Sequence, residues 1–142
     1  MKPKILFRIA AFLILFHTVG HTFGMQNRKN VQEPSAQSLL QSMSEVKVPM
    51  MGKVTNRSYD DFYYGMGIAL SVSLFSVAIL LWLLGNASEK HANTVRILSL
   101  PILVHLAGLA IIEFLYFFPL PAWTSTLACV CIGASLVKRS ER

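Results

Sequence analysis

Four long apolar stretches, at residues 5–24, 62–84, 94–118 and 121–137, constrain this chain more than anything else in it. A helix needs roughly 17–25 predominantly apolar residues to cross a bilayer core. Hydrocarbon offers no hydrogen bonds to a peptide backbone, so such stretches span as helices. The predicted fold is all-α: a four-helix transmembrane bundle forming one integral membrane domain, 1–142, with a polar loop over 25–59. The last stretch is slightly short and relies on flanking residues or local bilayer thinning. Composition agrees, because only 14% of the 142 residues are charged and 54% are hydrophobic, whereas soluble proteins carry about a quarter charged residues.

The first stretch follows Lys2 and Lys4 and contains Arg8. A side chain of that length, one turn in, reaches back to the headgroups. A cleaved signal peptide is the rival reading. Thr22-Phe23-Gly24 makes a poor cleavage site, and two histidines sit badly at the end of its apolar region, so a retained span is expected. In the polar loop, Pro34-Ser35 reads as a helix start with Ser35 as N-cap. Ala36, Leu39, Leu40, Met43 and Val46 then recur at helical spacing. They predict a short amphipathic helix, ended by Pro49 and Gly52, that lies on the membrane or over the bundle end as a linker or lid.

Asp60 and Asp61 are expected to cap the second span, and Gly85-Asn86 to close it. Gly67, Ser71 and Ala78 form a small-residue stripe, joined by Gly65, for close helix packing within the bundle or in a homo-oligomer. Trp82 and Trp123 suit the membrane interfaces. Pro101 is expected to kink the third span. Pro119-Leu120-Pro121 forces a reversal, and Pro121 opens the fourth span. Ser71, Ser73, Ser76, Thr124 and Thr126 read as interhelical hydrogen-bonding residues. Cys129 and Cys131, two apart on a helix, point in different directions and read as small apolar residues, with neither a disulfide nor a shared metal expected.

Charge sets the expected orientation. Lys2, Lys4, Arg8, Lys90, Arg96, Lys138, Arg139 and Arg142 lie on the side of the two tails, against Arg28, Lys29, Lys47, Lys53 and Arg57 on the other. Eight against five places both termini in the cytoplasm. The net charge of +6 sits in tails and loops, which fits anionic membrane lipids as partners. No basic patch interleaved with aromatics points to nucleic acid.

Titratable side chains inside apolar stretches are costly and need partners. His17 and His21 are four apart on one helix face. Counting about 1.5 Å per residue from the span ends, His21 lies roughly 5 Å, His17 roughly 10 Å and Glu113 roughly 8 Å below one boundary. Asp61 and Tyr64 open the second span at that boundary, Tyr116 ends the third there, and His105 lies deeper on the face of Tyr116. The candidate site is therefore a buried polar cluster of His17, His21, Glu113, His105, Tyr116, Asp61 and Tyr64. Its plainest use is a clamp of Glu113 on His17 or His21 that fixes helix packing. Two histidines and a carboxylate, His17, His21 and Glu113, also have the ligand types of a divalent metal site. An acid/base pair of Glu113 and His21, or a proton relay, is a further use. Haem held by His17 or His21 with His105 is disfavoured. No nucleophile elbow, phosphate-binding loop or dinucleotide fingerprint occurs.

Arg8 with His17-Thr18-Val19-Gly20-His21, and Asp61-Phe62-Tyr63-Tyr64-Gly65-Met66-Gly67 at the second span, resemble a family of small, uncharacterised bacterial four-span membrane proteins. The resemblance covers nearly the whole chain. It implies a bacterial inner-membrane location and no established activity. A looser likeness to the four-span sterol-isomerase-like membrane fold rests only on acidic and histidine side chains gathered in a bundle. The functional expectation is a multi-pass integral membrane protein whose His/Glu cluster is structural or binds a small hydrophobic ligand. The alternative is a membrane-embedded enzyme or metal-binding protein acting on a lipid-soluble substrate.

Overall fold

Pro3 opens the first helix, where its missing N–H costs nothing, and the apolar run carries that helix onward. The computed structural model describes residues 2–137, so Lys138, Arg139 and Arg142 of the orientation count lie outside the described residues. The elements are α1 Pro3–Gln26, α2 Pro34–Glu45, β1 Lys47–Met50, β2 Lys53–Ser58, α3 Tyr59–Ala87, α4 Ala92–Tyr116 and α5 Pro119–Val137. Among the described residues the fold is all-α apart from one hairpin, and α1, α3, α4 and α5 are long and apolar enough to cross a membrane.

The chain divides into two units. The first comprises α1 as far as Thr18 and the described residues from Ser73 onward. Its inner faces repeat at three and four residues: Phe7, Ala10, Ala11, Ile14 and His17 on α1; Leu74, Val77, Ala78, Leu81 and Leu84 on α3. On α4 the buried stripe is Val95, Ser99, Ile102, Leu106, Ala110 and Glu113, and on α5 it includes Ala122, Ser125, Ala128, Ile132 and Ser135. The outer faces are as apolar as the inner ones. Val104 is 73% and Val130 60% exposed, which water would not leave uncovered over so large an area. Lipid would, and packing between such helices rests on dispersion and hydrogen bonds rather than on hydrophobic burial.

Several expected boundaries move. Gly85 does not close the second span; the helix continues to Ala87. A Cβ at Gly85 would stand 3.2 Å from Phe7 Cβ and 3.4 Å from the Lys4 carbonyl. The residue lets α1 approach, and Ser88 Oγ then donates to the Gly85 carbonyl at 2.8 Å. Pro119 rather than Pro121 opens α5, since both prolines fit a first turn with no N–H to satisfy. Only Phe117 and Phe118 separate α4 from α5. Pro101 lies within α4.

The second unit runs from Val19 to Val72. Its α2 starts two residues earlier than expected, and Glu33, not Ser35, is the N-cap. Pro34 takes the first helical position, so the cap falls on the residue before it. Glu33 accepts from the Ala36 amide at 2.8 Å, and Ser35 donates its hydroxyl to the same carboxylate. These bonds hold the Glu33 carboxyl below its ordinary range.

The stretch expected to be irregular after α2 is instead the antiparallel hairpin β1–β2. Pro49 lies inside β1 rather than ending a helix, beside a register irregularity between Lys47 and Pro49. Met51 and Gly52 form the turn, with φ of 49° and 75°. Two consecutive left-handed residues match the twist of a two-residue hairpin turn. Ser58, not an aspartate, caps α3: its hydroxyl accepts from the Asp61 amide at 3.1 Å, while Asp61 accepts from the Ser58 amide at 2.9 Å. That reciprocal pair is a capping box with Asp61 in the third position.

Candidate functional site

The inner stripe of α4 ends on Glu113, and the inner stripe of α1 carries His17. Both belong to the first unit, and the two side chains meet there. His17 Nε2 lies 3.2 Å from Glu113 Oε1, with each side chain 4% exposed. On the other side of the ring, His17 Nδ1 is 3.3 Å from Ser125 Oγ of α5. A hydroxyl both donates and accepts, so Ser125 suits either protonation state of the ring. One proton shared between ring and carboxylate leaves the pair neutral as a whole, whichever side holds it. That neutrality is what a low-dielectric interior demands. Glu113 Oε2 is buried and takes no hydrogen bond. Buried polar atoms in that condition are few in native proteins.

His21 belongs to the second unit and is engaged differently. Its Nε2–H donates to the Gly67 carbonyl on α3 at 3.0 Å. Close by, Thr22 Oγ1 donates to Ser71 Oγ at 2.9 Å, and Ser71 donates to the Gly67 carbonyl at 3.3 Å. The Met25 side chain fills the space that a Cβ on Gly67 would take. Gly65, expected to serve the same end, has nothing within 4 Å of where a Cβ would stand.

The other expected members fall outside the His17–Glu113 site. His105 is exposed, one residue off the buried stripe at Leu106. Tyr116 is 76% exposed. Asp61 is taken up by the capping box with Ser58. Tyr64 lies beneath the Arg28 guanidinium, 4.2 Å from ring to cation. Among the described residues, no group of three or more His, Cys, Asp or Glu is placed to hold a metal ion. His17 and Glu113 thus offer two donors where a metal reading needs three or more.

Sequence reading missed Ser125 and a second cluster. Arg28 donates to Asp60 through Nε at 3.2 Å and through Nη2 to both carboxylate oxygens at 3.0 Å. Lys29 Nζ lies 2.6 Å from the same carboxylate. The cluster ties the end of α1 to the start of α3 within the second unit. Thr124 and Thr126, expected to bond between helices, instead donate to the Pro121 and Ala122 carbonyls of their own helix at 2.6 and 2.8 Å. Such back-bonding satisfies the hydroxyl within its own helix. Cys129 and Cys131 are free thiols.

Fold and site together define a class: a small all-α chain with four helices fit to cross a membrane and a buried histidine–glutamate pair in its core. Comparison with family models, curated proteins and solved structures finds no match to narrow that class further.

Proposed function

We propose that this chain is a small multi-pass integral membrane protein whose His17–Glu113–Ser125 cluster is a polar clamp between α1, α4 and α5. The carrying observation is the 3.2 Å contact between two side chains each 4% exposed, with the second ring nitrogen also bonded. A group satisfied on both nitrogens fixes the relative height and rotation of three helices, as interhelical hydrogen bonds do in membranes. The charge count supports cytoplasmic termini, and the sequence resemblance supports a bacterial inner membrane.

A second reading has its own observation. Glu113 Oε2 is buried without a partner, and a small polar group of a hydrophobic ligand or substrate would satisfy it. There Glu113 would act as acid or base with His17 as its proton partner.

Glu113→Gln separates the two. A glutamine keeps a hydrogen bond to His17, so under the clamp reading its thermal midpoint stays near wild type while Glu113→Ala falls well below. Equal losses for Gln and Ala would overturn the clamp. So would a stoichiometric divalent metal in the purified protein, or a proton flux in liposomes that Glu113→Gln abolishes.

A further inference from the structure

One face of α1 and one face of α3 in the first unit enclose an open, almost wholly apolar groove of about 290 Å³. Ala11, Phe12 and Leu15 line it from α1; Phe75, Ala78, Ile79, Trp82 and Leu83 line it from α3. From Phe75 to Trp82 the helical rise gives roughly 10 Å of length, the reach of about half an acyl chain. The groove ends at a cation. Arg8 lies one turn before Phe12, and its guanidinium covers the Trp82 ring at 4.7 Å. Arg8 Nη2 donates to Asn86 Oδ1 at 3.3 Å, and Arg8 Nε is buried with no partner. No carboxylate pairs with Arg8 among the described residues. The segments meeting at this end, residues 2–8 and 86–96, carry Lys2, Lys4, Arg8, Lys90 and Arg96 against the single acid Glu89.

An apolar slot ending on a fixed, uncompensated guanidinium has the polarity of a phospholipid. We infer that this groove is a selective site for an anionic phospholipid, with one acyl chain along Phe12, Phe75 and Ile79 and the headgroup phosphate on Arg8. Trp82 stacks beneath the cation and walls the chain, so it couples the two halves of the site. Arginine suits the task because its planar fork binds phosphate while its face stays on an aromatic ring. The excess of basic residues at this end favours a net negative headgroup over a zwitterionic one. The inference rests on the multi-pass membrane reading, and the test below distinguishes its failure from the failure of that reading.

Trp82 reports the site directly. In a Trp123→Phe background it is the sole tryptophan, since the chain has two. The protein is reconstituted in phosphatidylcholine vesicles carrying rising fractions of either phosphatidylglycerol or phosphatidylcholine with dibrominated acyl chains, which quench tryptophan on contact. Brominated phosphatidylglycerol should reach half-quenching at about a five-fold lower mole fraction, the preference expected of about one uncompensated basic side chain at a membrane surface. Arg8→Gln should reduce the preference to what Lys2, Lys4, Lys90 and Arg96 still supply, Arg8→Lys should keep most of it, and high salt should weaken it. Equal quenching by both lipids with Arg8 present in the Trp123→Phe background overturns the site while leaving the membrane reading intact. A preference unchanged in Arg8→Gln overturns the role of Arg8. Absence of quenching by either lipid would overturn the membrane reading itself. If Arg8→Gln does not fold, the comparison of the two lipids with Arg8 present still decides.

Discussion

Removing both halves of the buried pair should hurt far less than removing them separately suggests. His17 and Glu113 lie 3.2 Å apart, each 4% exposed. In soluble proteins, breaking a buried pair by deleting one partner costs about 3–5 kcal/mol, because the other is left unpaired. Interhelical hydrogen bonds in membranes average only about 0.6 kcal/mol and reach about 1.7. Near-complete burial and the added Ser125 contact at 3.3 Å put this pair toward the upper end. His17→Ala and Glu113→Ala should then each cost about 2.5 kcal/mol and the double variant about 3.5, a coupling of about 1.5 kcal/mol. The assay is reversible unfolding in mixed micelles titrated with sodium dodecyl sulfate, followed by circular dichroism and tryptophan fluorescence. Ser99→Ala serves as a control, because the Ser99 hydroxyl donates to the Val95 carbonyl of its own helix at 2.6 Å. Its cost should add to that of His17→Ala. A coupling of His17 with Glu113 below about 0.5 kcal/mol, the ordinary scatter of independent sites, would refute the clamp.

Gly85→Leu should destabilise by about 1–3 kcal/mol through overpacking against Phe7, whereas Gly67→Ala should stay within about 1 kcal/mol of wild type because Met25 is flexible and can swing aside; the same unfolding titration measures both. Asp60→Asn should cost about 1.5–3 kcal/mol, the range for a charge-assisted hydrogen bond, and should raise the hydrogen exchange of amides at the start of α3. Glu33→Ala should fray α2, seen as faster exchange at Ala36. Because the Glu33 carboxyl is held below its ordinary range in the folded chain, its cap is fully present above the unfolded carboxylate pKa and is lost as pH falls through the lowered one.

The depth at which the chain can be understood from sequence varies with the range of the interaction. Glu113 was legible by its cost in hydrocarbon, and the fold adds that it stands in line with the buried stripe Val95, Ser99, Ile102, Leu106 and Ala110. His105 shares that cost but lies one residue off the stripe, and depth alone does not say which way a helix is rotated. Ser125 was hidden because four helices can be arranged with different faces inward, and only the fold brings α5 against His17. The hairpin was hidden for a different reason. Its strands have four and six residues, are largely exposed, and contain a proline, so no period-two alternation stands out. The caps of α2 and α3 were misplaced by a few residues because Ser35, Asp60 and Asp61 are equally good capping types. Arg28 and Asp60, 32 residues apart, carry no local signal of their pairing.

The turn at Met51-Gly52 has a practical consequence. Met51 is 97% exposed, and the backbone has already reversed direction there without help from any packed side chain. Loop tips of this kind accept inserted sequence with little strain. A cleavage or epitope tag spliced between these two residues would give a topological beacon, readable from one face of a sealed vesicle by protease or antibody, with the ladder of the hairpin closing the chain behind it.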